Sequence, residues 1–291
     1  MARPGGVTSP PKSGRWGPTT TPRAPKTGAS IKDTWWFGGL AALADFLGLT
    51  LRIFRSLFTR RLDWTKELFD QCVIIARRCA WPVALSAAGL ATPVYILNVG
   101  ELTRTLGGVD RLGGAVALAS MREVGSWVTG MLVAGIAGTA ICSDLGSRKV
   151  REEIDALSVL AVDLTRTLIL PRVLAVTIMM PLMWLWAVLW CTLPVFILAP
   201  TALHFPAASF IKTYQTVPLI DLWIGLLKLT VIGLLVGLVC CYKGLTAKGG
   251  PAGVGRAVNQ AVVLAFLCTW IVSILMNAFF QAAFSQTQNV R

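Results

Sequence analysis

The stretch from 150 to 163, VREEIDALSVLAVD, holds four carboxylates in a chain that has only 14 acidic residues against 27 Lys and Arg. Carboxylate oxygens are ligands that Mg²⁺ prefers, so this cluster is a candidate cation site. On a helix, however, Glu152 shares a face with Asp155 but not with Glu153. No second acidic cluster stands where a diphosphate-binding membrane transferase would need one. A magnesium-dependent enzyme of lipid metabolism is therefore kept as the alternative hypothesis.

Other residue types offer little chemistry. The seven cysteines show no C-x-x-C pair of the kind that binds zinc or shuttles electrons, and we interpret them as small apolar fillers. His204 is the single histidine, which makes a metal site improbable. We predict no catalytic residue, no metal site and no cofactor bound by this chain.

The composition is that of an integral membrane protein. Of the 291 residues, 55% are hydrophobic and 14% are charged, against about a quarter charged in soluble domains. Five of the basic residues lie in the first 30 positions, in a tail rich in Pro, Gly, Ser and Thr. We expect residues 1–30 to be a disordered cytoplasmic tail. Because the tail carries much of the net charge of +13, that charge does not indicate nucleic-acid binding.

Five apolar stretches are long enough to cross a bilayer, which takes about 20 residues. This predicts an all-α membrane protein with five transmembrane helices. The stretches lie between Arg78 and Glu101, between Glu123 and Asp144, at about 173–198, between Asp221 and Lys243, and at about 258–283.

Basic residues set the expected orientation, because Lys and Arg favour cytoplasmic loops. They are dense before the first stretch, after the second and after the fourth, and sparse in the other loops. We therefore predict a multi-pass protein of the inner membrane with a cytoplasmic N-terminus and an extracytoplasmic tail at 286–291.

Residues 31–78 form a predicted interfacial region. Within 34–58, apolar residues recur every three or four positions while Asp45, Arg52 and Arg55 interrupt any full span. This pattern favours an amphipathic helix that lies in the membrane interface. A helix packed on the protein itself is the alternative.

The acidic stretch has the period of an amphipathic helix over 150–164. One line of this helix is apolar, and the acidic residues fall on the other side together with Val159. The line consists of Val150, Ile154, Leu157, Ala161 and Leu164. An exposed valine among carboxylates favours docking to another protein. A solvated helix whose acids pair with Arg148, Lys149 and Arg151 is equally open.

Residues 133–176 resemble the signature region of the MlaE/YrbE permeases, the membrane subunits of ABC-type lipid transporters that work with MCE proteins. The resemblance rests on several short motifs and covers about 31–285. The motifs are Ala134, Gly135, Ala137 and Gly138 of AGIAG, Leu145 and Gly146, Glu152 to Leu157 of EEIDAL, Val162 and Asp163, and Pro171 and Arg172. In detail the sequence is most similar to the actinobacterial, including mycobacterial, YrbE proteins.

The resemblance implies a non-catalytic permease domain at 79–285 and a cytoplasmic coupling helix between spans two and three. On that helix, Glu152, Glu153, Asp155, Ala156 and Leu157 would dock an ATPase dimer. No G-x-x-x-x-G-K-[ST] loop occurs in the sequence, so ATP would be bound by the partner subunit. The other implied partners are a second YrbE-type permease in a heterodimer, MCE-domain proteins outside, and a membrane lipid that is imported.

Charges within the spans form the second candidate site. Lys228 lies seven residues beyond Asp221 inside an apolar run, where an isolated charge costs at least about 2.5 kcal/mol. The resemblance implies that Arg122, Glu123 and Lys228 line or brace a lipid cavity at the dimer interface. An ordinary pair at the span end is the alternative for Arg122 and Glu123. Some relatives also carry an acid in the last span, where this chain reads FLCTWIV with Thr269 nearby.

Overall fold

The computed structural model describes residues 65–108, 111–160, 163–202 and 207–288, with scattered helical positions between 44 and 53. The predicted tail 1–30, the last three residues of the predicted tail 286–291, and most of the interfacial region before residue 65 lie outside the described residues. The described residues from Phe46 onward belong to one compact unit. No strand occurs in these ranges, in agreement with the predicted all-α class.

Five of the described helices are long and apolar enough to cross a membrane, which confirms the predicted number. Helix α1 is Thr65–Thr105 and helix α2 is Leu112–Val150. A short helix α3, Glu153–Val159, precedes α4 at Thr165–Thr201. A second short helix, α5, covers Ala207–Tyr214, and the chain ends with α6 at Leu219–Leu245 and α7 at Gly250–Gln288.

The long helices extend beyond the uncharged stretches that predicted them. Helix α1 already includes Thr65, inside the region predicted to be interfacial, and α2 begins eleven residues before Glu123. A helix does not end where hydrophobicity ends, because charged residues such as Lys66 and Arg111 fit the polar edge of a bilayer. The spacing of charges therefore located the spans but not the ends of the helices.

The successive long helices run in alternating directions and place their ends on two levels. We name the level that carries α3 the acidic end, and the level that carries α5 the opposite end. Helix α1 packs along α4, and the Trp186 indole of α4 donates a hydrogen bond to the carbonyl of Ala80 in α1 (3.0 Å). Helix α6 contacts α2, α4 and α7, and α2 contacts all four of the other long helices.

Two glycines of α6 allow these contacts to be close. A Cβ on Gly237 would lie 3.2 Å from the Cα of Val173 in α4, and a Cβ on Gly244 would lie 2.9 Å from the carbonyl oxygen of Cys142 in α2. Small residues of this kind let helix backbones approach in a bilayer. Helices α2 and α4 are thus both packed on α6 near the acidic end.

Helix α2 contains two π-helical turns, Ser120–Val124 and Ala134–Gly138. At the start of the first turn, the Ser120 hydroxyl donates to the carbonyl of Val116. The same hydroxyl is hydrogen-bonded to the Tyr95 hydroxyl of α1 at 3.3 Å. This turn presents Arg122 and Glu123, and π-turns are frequent at functional sites.

The described positions between 44 and 53 are helical. Phe46 packs edge-on against the ring of Tyr242 in α6 (5.7 Å between centroids), and Ile53 is buried. Leu47 and Leu51 are exposed. One side of this segment therefore packs on the protein, as the alternative held, while its other side stays apolar and open. Its place in the membrane interface remains a prediction.

Candidate functional site

The acidic stretch is not one continuous helix, so the prediction of a single helix over 150–164 is wrong. Helix α2 ends at Val150, Glu152 adopts a left-handed backbone (φ 60°), and α3 begins at Glu153. Ala161, a member of the predicted apolar line, lies outside the described residues.

Charge explains the break. Arg148 and Lys149 stand in the last turn of α2, and Glu153 and Asp155 stand in the first turn of α3. Cations are favourable at a helix C-terminus and anions at an N-terminus. The charges of SRKVREEID therefore stabilise the end of one helix followed by the start of another. The apolar periodicity of 150–164 gave no indication of this break.

The carboxylates of α3 form local ion pairs. Lys149 Nζ lies 2.6 Å from Asp155 Oδ1, and Arg151 Nε lies 2.9 Å from Glu153 Oε1. These are two of the pairings that the solvated-helix alternative requires. No group of three or more His, Cys, Asp or Glu residues in the described ranges is close enough to hold a metal ion.

The tip of α3 nevertheless has an unusual surface. Ile154 is buried against the bundle, Leu157 is half-buried and Ala156 is exposed. Val159 and Leu160 are 86% and 72% exposed. Two adjacent large apolar side chains beside ion-paired acids form a surface that can dock a protein. We name Glu153–Val159 together with Leu160 the α3 tip.

The second site lies inside the bundle, toward the opposite end. Lys228 of α6 is only 1% exposed. Its ammonium donates to the carbonyl oxygen of Arg122 in α2 and, at 3.3 Å, to the side-chain oxygen of Asn277 in α7. An ammonium this deep needs such partners, because an uncompensated charge in a bilayer is costly.

Asn277 joins this lysine to Glu123. Its side-chain nitrogen donates to Glu123 Oε1 at 2.5 Å, while its oxygen accepts from Lys228. Both ends of the amide are therefore bonded to a charged group, which fixes its orientation. Hydrogen bonds to charged groups are the stronger class.

Arg122 connects this network to Asp221. Its Nε and Nη2 donate to Asp221 Oδ1 of α6, at 3.0 and 2.7 Å. The Asp221 side chain is 3% exposed and that of Arg122 is 34% exposed. The structure thus brings together the three predicted residues, and we name Arg122, Glu123, Asp221, Lys228 and Asn277 the intramembrane network.

The profile of the family described as Permease MlaE matches residues 68–279. This chain belongs to the MlaE permease family. The match includes the AGIAG turn, α3 and every member of the intramembrane network. Family membership agrees with the prediction of a membrane permease that is not an enzyme, and it gives no support to the magnesium-dependent alternative.

Three relatives illustrate the range of the family. A probable ABC transporter permease of Rickettsia typhi is 36% identical over 149 residues, which are 51% of this chain and 58% of the relative. A probable ABC transporter permease of Synechocystis is 27% identical over 83% of this chain and 90% of its own length. The chloroplastic protein trigalactosyldiacylglycerol 1 of Arabidopsis thaliana is 31% identical over 66% of this chain and 54% of its length. This MlaE-family chain therefore spans less than two thirds of the Rickettsia typhi relative.

Two members of the intramembrane network were missed by sequence reasoning. Asp221 served only as the boundary of a span, and its partner stands 99 residues earlier. Asn277 had a readable signal, because it interrupts the apolar run SILMNAFF. A polar residue within a span usually faces a partner. Thr269, considered for the same place, instead bonds the carbonyl of Ala265 in its own helix (2.9 Å).

Proposed function

We propose that this chain is the permease subunit of an ABC-type transporter that moves a hydrophobic lipid across the inner membrane. The observation that carries the proposal is the family match over residues 68–279. The names of the relatives add support, since two are permeases of ABC transporters and a third is named for a glycerolipid. The lipid belongs to the fatty-acid, sterol or phospholipid class.

ATP hydrolysis is supplied by a separate ATPase that docks on the α3 tip. The geometry supports this, because α3 connects two long helices and its exposed Val159 and Leu160 have no apolar cover from the part of the chain that the structure describes. The predicted coupling residues Glu152, Glu153, Asp155, Ala156 and Leu157 lie at the start and in the middle of the same short helix. The carboxylates then orient the contact, while the apolar pair supplies buried area.

The test of docking uses matched apolar positions. The chain is coexpressed with its cognate ATPase, and the ATPase activity that copurifies is measured. We expect Leu160→Asp to reduce this activity at least tenfold. Leu106→Asp is the control, because Leu106 is equally exposed (75%) but lies at the opposite end. Equal ATPase recovery with both variants would refute docking at the α3 tip.

The intramembrane network serves the lipid path. Lys228 is buried within one subunit, so it braces the helices, whereas the partly exposed Arg122 is the member available to a lipid headgroup. Lys228→Ala is expected to lower lipid transfer while leaving ATPase recruitment intact. Unchanged transfer by this variant in proteoliposomes would contradict the assignment.

The remaining parts of the proposal concern topology and partners. The acidic end is cytoplasmic, because it carries Arg148, Lys149, Arg151, Lys243 and Lys248. The N-terminus is then cytoplasmic and the C-terminus extracytoplasmic. A second, non-identical permease of the YrbE type, as in actinobacteria, completes a heterodimer, MCE-domain proteins bind outside, and the transport is import. Mass spectrometry of the purified complex identifies both the partners and the retained lipid.

A further inference from the structure

An ion pair joins the two long helices on either side of α3. Arg172 Nη2 of α4 lies 2.5 Å from Asp144 Oδ2 of α2, although the two residues are 28 positions apart. Asp144 precedes α3 and Arg172 follows it. The short helix α3 therefore connects two long helices that an ion pair links to each other.

The two members of this pair differ in their surroundings. The Arg172 side chain is 5% exposed, and its Nη1 is buried without a hydrogen-bond partner in the described residues. The Asp144 side chain is 41% exposed and also accepts from Arg148 Nε of its own helix at 3.2 Å. A buried guanidinium that depends on one carboxylate holds that carboxylate firmly, because separating them leaves an uncompensated charge.

Close helix contacts flank both residues. Leu145, next to Asp144, and Cys142 pack on Gly244 of α6, with a Cβ at Gly244 only 2.9 Å from the Leu145 Cβ. Val173, next to Arg172, packs on Gly237 of the same helix. Helices α2, α4 and α6 are thus fastened together at the acidic end by one ion pair and two close backbone contacts.

We propose that Asp144 and Arg172 are positioning residues that transmit movement of α3 to the spans. A displacement of α3 pulls on α2 and α4 together because the pair ties them, and α6 follows because both are packed on it. Helix α6 carries Lys228 and Asp221, so the movement reaches the intramembrane network. Without the pair, α3 moves while the spans stay behind, and ATP is hydrolysed without transport.

This inference rests on the proposed function, and its test separates the two. The complete transporter, with its ATPase and partner subunits, is reconstituted in proteoliposomes that contain a labelled lipid. ATP hydrolysis, lipid transfer and ATPase retention are measured on the same preparation. The readout is the amount of lipid transferred per ATP hydrolysed, a ratio that a loss of folded protein leaves unchanged.

Asp144→Asn and Arg172→Gln are expected to lower this ratio at least tenfold, with ATPase retention within twofold of the wild type. The conservative variant Arg172→Lys keeps the charge and is expected to recover at least a third of the wild-type ratio. Arg148→Gln is the matched control, because it removes the other arginine of the same carboxylate within a single helix. Its ratio should equal that of the wild type.

Several outcomes would overturn the inference. A wild-type ratio in Asp144→Asn would do so, as would an equal loss in Arg148→Gln or a failure of Arg172→Lys to recover. If Arg172→Gln does not assemble, Asp144→Asn carries the test, since that site is partly exposed. Loss of assembly in both would show that the pair is only structural. A wild-type chain that recruits no ATPase would overturn the proposed function itself.

Discussion

Replacing Asn277 with leucine should destabilise the bundle by about 2 kcal/mol. The amide makes two hydrogen bonds to charged groups, a short one to Glu123 (2.5 Å) and a long one from Lys228 (3.3 Å). In membrane proteins such bonds average about 0.6 kcal/mol and reach about 1.7 kcal/mol. We assign the upper value to the short bond and the average to the long one, and leucine has as many side-chain heavy atoms as asparagine, so no cavity term is added.

The assay is reversible unfolding in mixed micelles with increasing SDS, followed by tryptophan fluorescence. A suitable reporter is near, since Trp127 of α2 stacks on Trp270 of α7 at 4.9 Å between ring centroids. Asn259→Leu is the control on the same helix, because Asn259 is exposed. It should change the free energy of unfolding by less than about 0.5 kcal/mol.

A double-mutant cycle makes the prediction sharper. In a Glu123→Gln background, Asn277→Leu should cost at least about 0.5 kcal/mol less than in the wild type, since residues of one network are not additive. Two results would refute the reasoning. One is an equal effect of Asn277→Leu and Asn259→Leu, and the other is strict additivity with Glu123→Gln.

Three further predictions test the backbone, the packing and the charges. Glu152→Gly should stabilise the folded chain by about 1 kcal/mol, because glycine adopts the left-handed backbone at residue 152 without cost, and Glu152→Val should destabilise it; thermal unfolding in detergent measures both. Gly225→Ala should destabilise the chain by about 1–3 kcal/mol, since the new Cβ would overlap the Trp184 ring, and Trp184→Phe should restore part of the loss. Asp221→Asn should lower lipid transfer per ATP, because it weakens the hold on Arg122, and Asp221→Glu should preserve it; proteoliposome transfer distinguishes the two.

The transmembrane architecture was predictable because its cause is local. A run of about 20 apolar residues strongly favours a membrane over water. The distances between charged residues therefore predicted all five spans. Helix ends were not predictable in the same way. Helix α1 includes Thr65 and α2 begins at Leu112, and how far a charged helix continues past the membrane is not encoded in apolar content.

The intramembrane network was predictable only in part, because its bonds are long-range. Arg122, Glu123 and Lys228 were singled out as charges in apolar surroundings, and the structure brings them together. Their real partners are Asp221 and Asn277, and a hydrogen bond across 154 residues leaves no periodic trace in the sequence. The register of α2 against α7 determines whether Asn277 meets Glu123, and that register follows from the packing of the whole bundle.

The two sites differ in how firmly they are held: the α3 tip can rearrange, whereas the intramembrane network is rigid. At the acidic end the ion pairs of α3 are exposed, with side chains 32–63% accessible, and exposed pairs contribute at most about 1 kcal/mol each. In the intramembrane network the bonds are partly buried and hold α2, α6 and α7 to one another. Helix α6 spans the distance between them, about 24 Å from Gly244 to Lys228 at 1.5 Å per residue. Because its ion pairs are weak, the α3 tip can rearrange at low cost in free energy when a partner binds. Because the network is strong, the membrane-spanning helices move together. Substitutions in the network should therefore change stability as well as lipid transfer, whereas substitutions at Asp144 and Arg172, which lie between the two, should lower the lipid transferred per ATP while assembly stays intact.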